Sequence, residues 1–291
     1  MQSFVIEGGK TLKGEIEVRG SKNATMPILA ATLLTKEPST IDNIPLIEDV
    51  KRFLEIIESL GGKVEWLGKR KVKINPKNLN LKKLNQSLVK KLRSSVLLIP
   101  SLLHHFKKFK LAQPGGCLIG VRSIEAHLDA LSQLGVKVRK TPTFYYYNGA
   151  NIKNNNVVLK EFSVTATENI LMFASLLPQK TIIRLAAAEP HVQDLIRFLQ
   201  KLGVKIEGGG THHLIVEGKS QLSGAEHRLV PDYIEAGTFL IAIAATHGKA
   251  LVRGVMLDHM DAIIFKLREM GVRLKIHPRK DNLCDILVLP S

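Results

Sequence analysis

Two kinds of hydrophobic segment alternate along the chain, and their alternation predicts its elements. In the first kind, apolar residues recur at the spacing of one helix face. Phe53, Leu54, Ile57 and Leu60 form one such stripe, and Ile124, Leu128, Leu131 and Leu134 a second. Val192, Leu195, Ile196, Leu199 and Leu202 form a third, and Met260, Ile263, Ile264, Leu267 and Met270 a fourth. Each stripe ends in a turn of the form apolar-Gly-x-basic-apolar, at Gly61, Gly135, Gly203 and Gly271. A glycine just past the last apolar residue stops a helix, because it tolerates the left-handed conformation. β-Type residues follow, as in Lys63-Val-Glu-Trp66 and Lys137-Val-Arg139. The second kind of segment is apolar on most of its surface and predicts helices over 22–34, 93–105, 167–177 and 234–247. Such helices must be buried. A short strand, such as Thr181–Leu185 or Ala250–Arg253, separates each pair of helices.

The four glycines lie 74, 68 and 68 residues apart, a period that marks repeated α/β units: helix, strand, helix, then a strand or hairpin. Units that each bury a helix predict a compact fold with helices inside and sheets outside. A solenoid fits less well, because the period is long and both element types recur.

Composition narrows the class. The chain has 291 residues, 45% of them hydrophobic, enough for a large core and against global disorder. Two cysteines, Cys117 and Cys284, make no disulfide framework, and no metal-ligand spacing occurs. The N-terminus lacks a signal-peptide pattern and no apolar run is long enough to span a bilayer, so a soluble cytoplasmic protein with no membrane partner is expected. A charge of +16 suits nucleic acid, a membrane surface or anionic small substrates. Much of it lies in local lysine runs that read first as solvated faces, aromatics are 5%, and no nucleic-acid motif is present. No nucleic-acid partner and no cofactor are expected.

The strongest candidate for chemistry is Pro114-Gly-Gly-Cys-Leu-Ile-Gly-Val-Arg122. Glycines let the backbone adopt exposed or strained conformations, and the nearby Arg122 favours a thiolate at Cys117. Taken alone, a cysteine is more often a small buried hydrophobe. Cys284, in Leu283-Cys-Asp-Ile-Leu-Val288, reads as core.

That loop, with Gly20-Ser-Lys-Asn23, Ser163-Val-Thr-Ala-Thr-Glu-Asn169, Glu189-Pro190 and Pro231-Asp-Tyr-Ile-Glu-Ala-Gly-Thr238, resembles the UDP-N-acetylglucosamine 1-carboxyvinyltransferase family of enolpyruvyl transferases, in order and spacing from end to end. The shikimate-pathway enolpyruvyl transferases share the repeat fold but lack the cysteine loop. The resemblance implies an inside-out α/β barrel of βαβαββ-like units, with two three-repeat domains closing over substrates. Residues 21–230 would form one complete domain, and 1–20 with 231–291 part of a second. The chain stops at Ser291 after one repeat of that second domain. The family's Phe-Pro-Thr-Asp loop, which carries the presumed base, and a late phosphoenolpyruvate-gripping arginine do not occur. A complementing C-terminal fragment is the partner this implies. The alternatives are a truncated, non-catalytic UDP-sugar-binding paralogue or a relative of the shikimate-pathway enolpyruvyl transferases.

By the same resemblance, Cys117 would act as general acid and form a covalent adduct, and Lys22 and Arg122 would hold phosphoenolpyruvate. Lys22, Asn23, Arg93, Arg122, Ser123, Ile124, Glu125, Ala126, Ser163 and Val164 would contact UDP-N-acetylglucosamine. Ser123 and Glu125 depart from the family's usual Arg-Pro-x-Asp-x-His segment, and Thr165 stands where glycine is common. Each residue also has a plain structural reading: Lys22 and Arg122 as surface cations, Arg93 as a solvated helix-end charge, and Asn23 as a helix cap. Asp232 and Glu235 are expected to orient the domain junction rather than to do chemistry.

Overall fold

The structure is a computed structural model that describes residues 3, 5–115, 123–150, 152 and 154–291. The chain divides into two compact units, one of Lys22–Leu229 and one of Met1–Ser21 with Val230–Ser291. In chain order, β1 (Lys13–Glu17) is followed by α1 (Lys22–Ala31), β2 (Ser39–Asp42), α2 (Glu48–Ser59), β3 (Lys63–Gly68) and β4 (Lys71–Asn75). The next repeat holds α3 (Gln86–Lys91), a 3₁₀ segment Arg93–Leu98 leading into α4 (Ile99–His105), β5 (Lys108–Ala112), α5 (Glu125–Gln133), β6 (Lys137–Lys140) and β7 (Phe144–Asn148). Then come β8 (Asn156–Val158), α6 (Val164–Ala174), β9 (Lys180–Arg184), α7 (Pro190–Lys201), β10 (Lys205–Glu207), β11 (His213–Glu217) and β12 (Glu226–Arg228). The smaller unit ends the chain with α8 (Tyr233–Ala245), β13 (Lys249–Met256), α9 (Asp261–Glu269), β14 (Arg273–Pro278) and β15 (Leu283–Leu289).

Three sheets surround the larger unit's core: β12-β2-β4-β3, β5-β7-β6 and β10-β11-β9-β8. Each is an antiparallel trio, and in two of them a parallel strand is added at one side, β12 on β2 and β8 on β9. β12 comes after the third repeat and pairs with the first, so its register (Glu226 to Thr40, Arg228 to Asp42) joins the two ends of the unit. The smaller unit repeats the plan as β1-β13-β15-β14, with β1 parallel to β13. The α/β class expected from sequence is what forms. The sheets remain separate ladders among the described residues, however, and no hydrogen-bonded barrel closes.

The core of the larger unit is made by α1, α4 with its 3₁₀ lead-in, and α6, whose side chains are almost all buried and pack on one another. Helices buried on every side must satisfy polar groups internally. Ser101 Oγ donates to the Ala30 carbonyl (2.8 Å), His105 Nε2 lies 2.6 Å from the Leu33 carbonyl, and Asn169 Nδ2 donates to the Val96 carbonyl (3.3 Å). Ser101 and His105 meet Ala30 and Leu33 in the same order along both segments, so these run parallel.

Two boundaries differ from the sequence expectation. The segment from Arg93 starts as a 3₁₀ helix rather than an α-helix. Pro100 has no N–H to donate to Val96, and the Val96 carbonyl instead accepts from the Ile99 amide and the Asn169 side chain. The third buried helix begins at Val164, not Thr167, because the Ser163 side chain accepts from the Ala166 amide and caps it.

The four turn glycines all take positive φ, from 82° to 104°. At Gly61 a Cβ would drive into the Asn78 carbonyl, whereas at Gly203 it would meet only the flexible end of Lys219. Gly203→Ala should therefore cost about 1 kcal/mol of backbone strain, and Gly61→Ala clearly more. Urea unfolding followed by Trp66, the sole tryptophan, measures both; equal losses would refute the packing contribution.

Candidate functional site

Parallel buried helices bring their N-terminal ends to one end of the larger unit, and the residues singled out in the sequence lie on those ends. Lys22 is the first residue of α1, exposed, and its Nζ sits 2.7 Å from Asp49 in the first turn of α2. Asn23 is also exposed and lies inside the first turn of α1, so it is a helix residue and not the cap. Arg93 opens the 3₁₀ segment, and its Nη2 donates to the Ser123 carbonyl at 2.7 Å. It is a tether between repeat elements, not a free helix-end charge.

Ser123 turns the chain into α5: its Oγ accepts from the Glu125 amide at 3.0 Å. Ile124 is buried and anchors the turn, while Glu125 is exposed and Ala126 half-buried. One turn on, His127 is buried and its Nε2 lies 2.8 Å from the Thr165 hydroxyl on α6. Thr165 thus uses its departure from glycine to tie the second loop, Ser163 and Val164, to the segment 123–127. The sequence left this pairing unread; it shows only as a hydroxyl and an imidazole 38 residues apart. On α6, the Thr167 hydroxyl accepts from the Ala187 amide at 2.9 Å, linking α6 to the Glu189-Pro190 start of α7.

Helix N-termini carry the positive ends of the helix dipoles, a setting for anions. With Lys22 and Arg93 added, this end of the unit is suited to phosphate and carboxylate groups. Cys117 and Arg122 lie outside the described residues. The strand that leads to them is held firmly: Gln113 donates through Nε2 to the Thr141 carbonyl (2.7 Å), and Gly115 packs so closely on the Lys90 carbonyl that any Cβ would collide. Asp232 caps α8 by accepting from the Ile234 and Glu235 amides (2.9 and 3.1 Å), and Glu235 accepts from the Arg19 amide (2.6 Å). Both are structural in the smaller unit. Cys284 is buried there, as its apolar surroundings predict, and burial pushes its thiol up. Among the described residues no group of acidic, histidine or cysteine side chains could hold a metal, and no helix is long and apolar enough to cross a membrane.

A family profile described as EPSP synthase (3-phosphoshikimate 1-carboxyvinyltransferase) matches residues 6–285. The chain belongs to the enolpyruvyl transferase family. It is 40% identical to UDP-N-acetylglucosamine 1-carboxyvinyltransferase 2 of Caldanaerobacter subterraneus subsp. tengcongensis, over 94% of this chain and 66% of that protein. It is 38% identical to UDP-N-acetylglucosamine 1-carboxyvinyltransferase 1 of Symbiobacterium thermophilum, over 99% and 68%. The enolpyruvyl transferase NikO from Streptomyces tendae has the same fold, with a TM-score of 0.84 at 21% identity, over 98% of this chain and 67% of that one. An EPSP synthase from Acinetobacter baumannii follows at 0.74 and 19%, over 98% and 66%. The chain spans about two thirds of the length of these relatives.

Two buried groups at this end titrate in opposite senses. Burial, then the charge of Arg93, lowers His127 from 6.5 to about 4, so it is neutral at pH 7. Burial, then the neighbouring Glu189 carboxylate, pushes Glu168 well above the carboxylate range, so it stays protonated. The unfolded chain protonates His127 near its ordinary value and the folded chain does not. Its contribution is therefore complete above pH 6.5 and lost as pH falls towards 4, on the order of 3 kcal/mol at most. Glu168 acts the other way, weakening the fold as pH rises above the unfolded carboxylate value. Unfolding curves against pH should show His127→Gln flattening the acid limb and Glu168→Gln raising stability at pH 8. An acid limb unchanged in His127→Gln would refute the assignment.

Proposed function

We propose that this chain carries the substrate-binding domain and the catalytic cysteine of an enolpyruvyl transferase acting on UDP-N-acetylglucosamine, the first committed step of peptidoglycan precursor synthesis. The observation that carries the reading is the chain of contacts from Arg93 through Ser123 and His127 to Thr165. It joins the two segments proposed to hold the nucleotide. Similarity to UDP-N-acetylglucosamine 1-carboxyvinyltransferases over nearly the whole chain supports it.

In this reading residues 21–230 are the three-repeat domain. Lys22 and Arg122 hold the phosphate and carboxylate of phosphoenolpyruvate, the lysine as a point charge and the arginine as a planar fork. Lys22, Asn23, Arg93, Arg122, Ser123, Ile124, Glu125, Ala126, Ser163 and Val164 line the UDP-sugar site. The sugar 3'-hydroxyl oxygen bonds to the middle carbon of phosphoenolpyruvate, its proton passing to the presumed base of the complementing C-terminal fragment, while the Cys117 thiol gives its proton to the methylene carbon. Phosphate then leaves the middle carbon as the new methyl group returns a proton to the Cys117 thiolate, restoring the double bond. The Cys117 thiolate can also add to the same middle carbon to give a covalent adduct. No cofactor is needed for these steps.

The second reading, a UDP-sugar-binding protein with little turnover, is favoured by the smaller unit. α8 is apolar nearly all round, yet Ile234 and Ile241 are 49% and 53% exposed, and on α9 Phe265 and Met270 beyond it are 62% and 78% exposed. Burying each such side chain would contribute about 1.5–3 kcal/mol. Further α/β repeats, supplied by a complementing C-terminal fragment, would cover them and bring the presumed base.

An epoxide phosphonate resembling phosphoenolpyruvate should alkylate Cys117 in preference to the buried Cys284, read by mass spectrometry of peptides. Equal labelling, or none at Cys117, would exclude a catalytic cysteine. Isothermal titration should show UDP-N-acetylglucosamine binding weakened about tenfold or more by Arg93→Ala, the usual loss for a charged hydrogen bond. Phosphate release by the isolated chain should be negligible; turnover of order 1 s⁻¹ would eliminate the second reading.

A further inference from the structure

The second repeat's sheet carries a surface with no part in the site above. Cross-strand register places Lys108, Asn148 and Lys137 in one row and Lys110, Tyr146 and Arg139 in the next. All six point to the solvent side, because their neighbours Phe109 and Tyr147 are buried and stack together at 5.0 Å on the other. The middle strand thus offers Phe144, Tyr146 and Asn148, two rings and an amide, between two rows of cations. A shallow groove of about 510 Å³ runs over Tyr146 and Asn148 between Lys108, Lys110, Lys137 and Arg139, and no carboxylate lines it.

The equivalent sheet of the third repeat is different. There Lys180 and Lys205 are answered by Glu217. Here the cations rest on rings instead: the Arg139 guanidinium lies 4.2 Å from the Tyr146 ring centre and Lys110 Nζ 4.7 Å from that of Phe144. Cation–ring contacts leave the charge unneutralised.

Against the expectation from composition, which contains no such cross-strand pattern, we propose that this face binds single-stranded nucleic acid. Bases would stack along the middle strand on Tyr146 and Phe144, displacing the cations outward onto phosphates, and Asn148 would hydrogen-bond a base edge. Cations two residues apart on a strand are separated by about 6.7 Å, similar to consecutive phosphates on an extended single strand. A polyanion with flat, stackable groups suits the combination better than an acidic peptide, which would use the charges and leave the rings idle. The net charge of +16 aids any such encounter but does not create the pattern.

The test is fluorescence anisotropy with a labelled single-stranded oligonucleotide of mixed sequence about a dozen residues long, between about 50 and 200 mM salt. Binding should weaken with salt. The log–log slope should fall by about 0.7 for each contacting cation reversed, in Lys110→Glu and Lys137→Glu. Tyr146→Ala should lose about five- to hundredfold in affinity, and Tyr146→Phe should retain it. Lys90→Glu with Lys91→Glu, an equal charge change on α3, is the control. Circular dichroism confirms that each variant is folded. The proposal is overturned by no binding, by Tyr146→Ala binding as well as the unaltered protein, by the control losing as much as the sheet variants, or by polyglutamate of equal charge competing equally.

Discussion

Everything in the larger unit follows from burying three helices on all sides at once. Their apolar surfaces supply the driving force, but the cost of stranding polar groups in that interior is severe. Ser101, His105 and Asn169 meet part of it by giving the Ala30, Leu33 and Val96 carbonyls a partner from the neighbouring helix. The two bonds from α4 also set it parallel to α1, and the contacts Arg93–Ser123 and His127–Thr165 bring the start of α6 to the same end. Once parallel, their positive ends must lie together, and so must the side chains that begin them. The anion-suited end of the unit is in this sense a by-product of how the core is satisfied.

Much of the fold was legible because its signals are local. The stripe Phe53, Leu54, Ile57 and Leu60 and the turn glycine after it declare a helix and its end within ten residues, and the pattern recurs four times. What was not legible depended on distant partners. Nothing around Arg93 announces a 3₁₀ start; that needs Asn169 to occupy the carbonyl which Pro100 leaves free. Closed barrel geometry also did not follow from the repeats, since a unit can turn its helix inward without its sheet bonding to the next.

The candidate site divides in the same way. Lys22, Asn23, Arg93 and Ser163 stood out through motif and position, and the structure places them on converging helix ends. Thr165 stood out as a residue where glycine is common, and it proves to be the partner of His127. Glu168 drew no attention as one carboxylate among 26 acidic residues, because only burial beside Glu189 makes it unusual. The basic and aromatic rows of β5, β6 and β7 were each visible, but only register sets rings between cations.

Gln86 holds the strand that feeds the glycine segment in an unusual way. Where the first and third sheets of the larger unit have a fourth strand, β5 has, among the described residues, this side chain, whose amide donates to the Lys110 carbonyl (3.3 Å) and accepts from the Ala112 amide (2.8 Å). One residue imitates the two bonds of a neighbouring strand. Backbone pairings of that kind open by local unfolding, over microseconds or longer, whereas a partly exposed side chain changes rotamer in picoseconds to nanoseconds. One side of β5 therefore stays in the slow ladder it shares with β7, while its other side is closed by a single fast side chain, so the two sides of one strand exchange with solvent on different timescales.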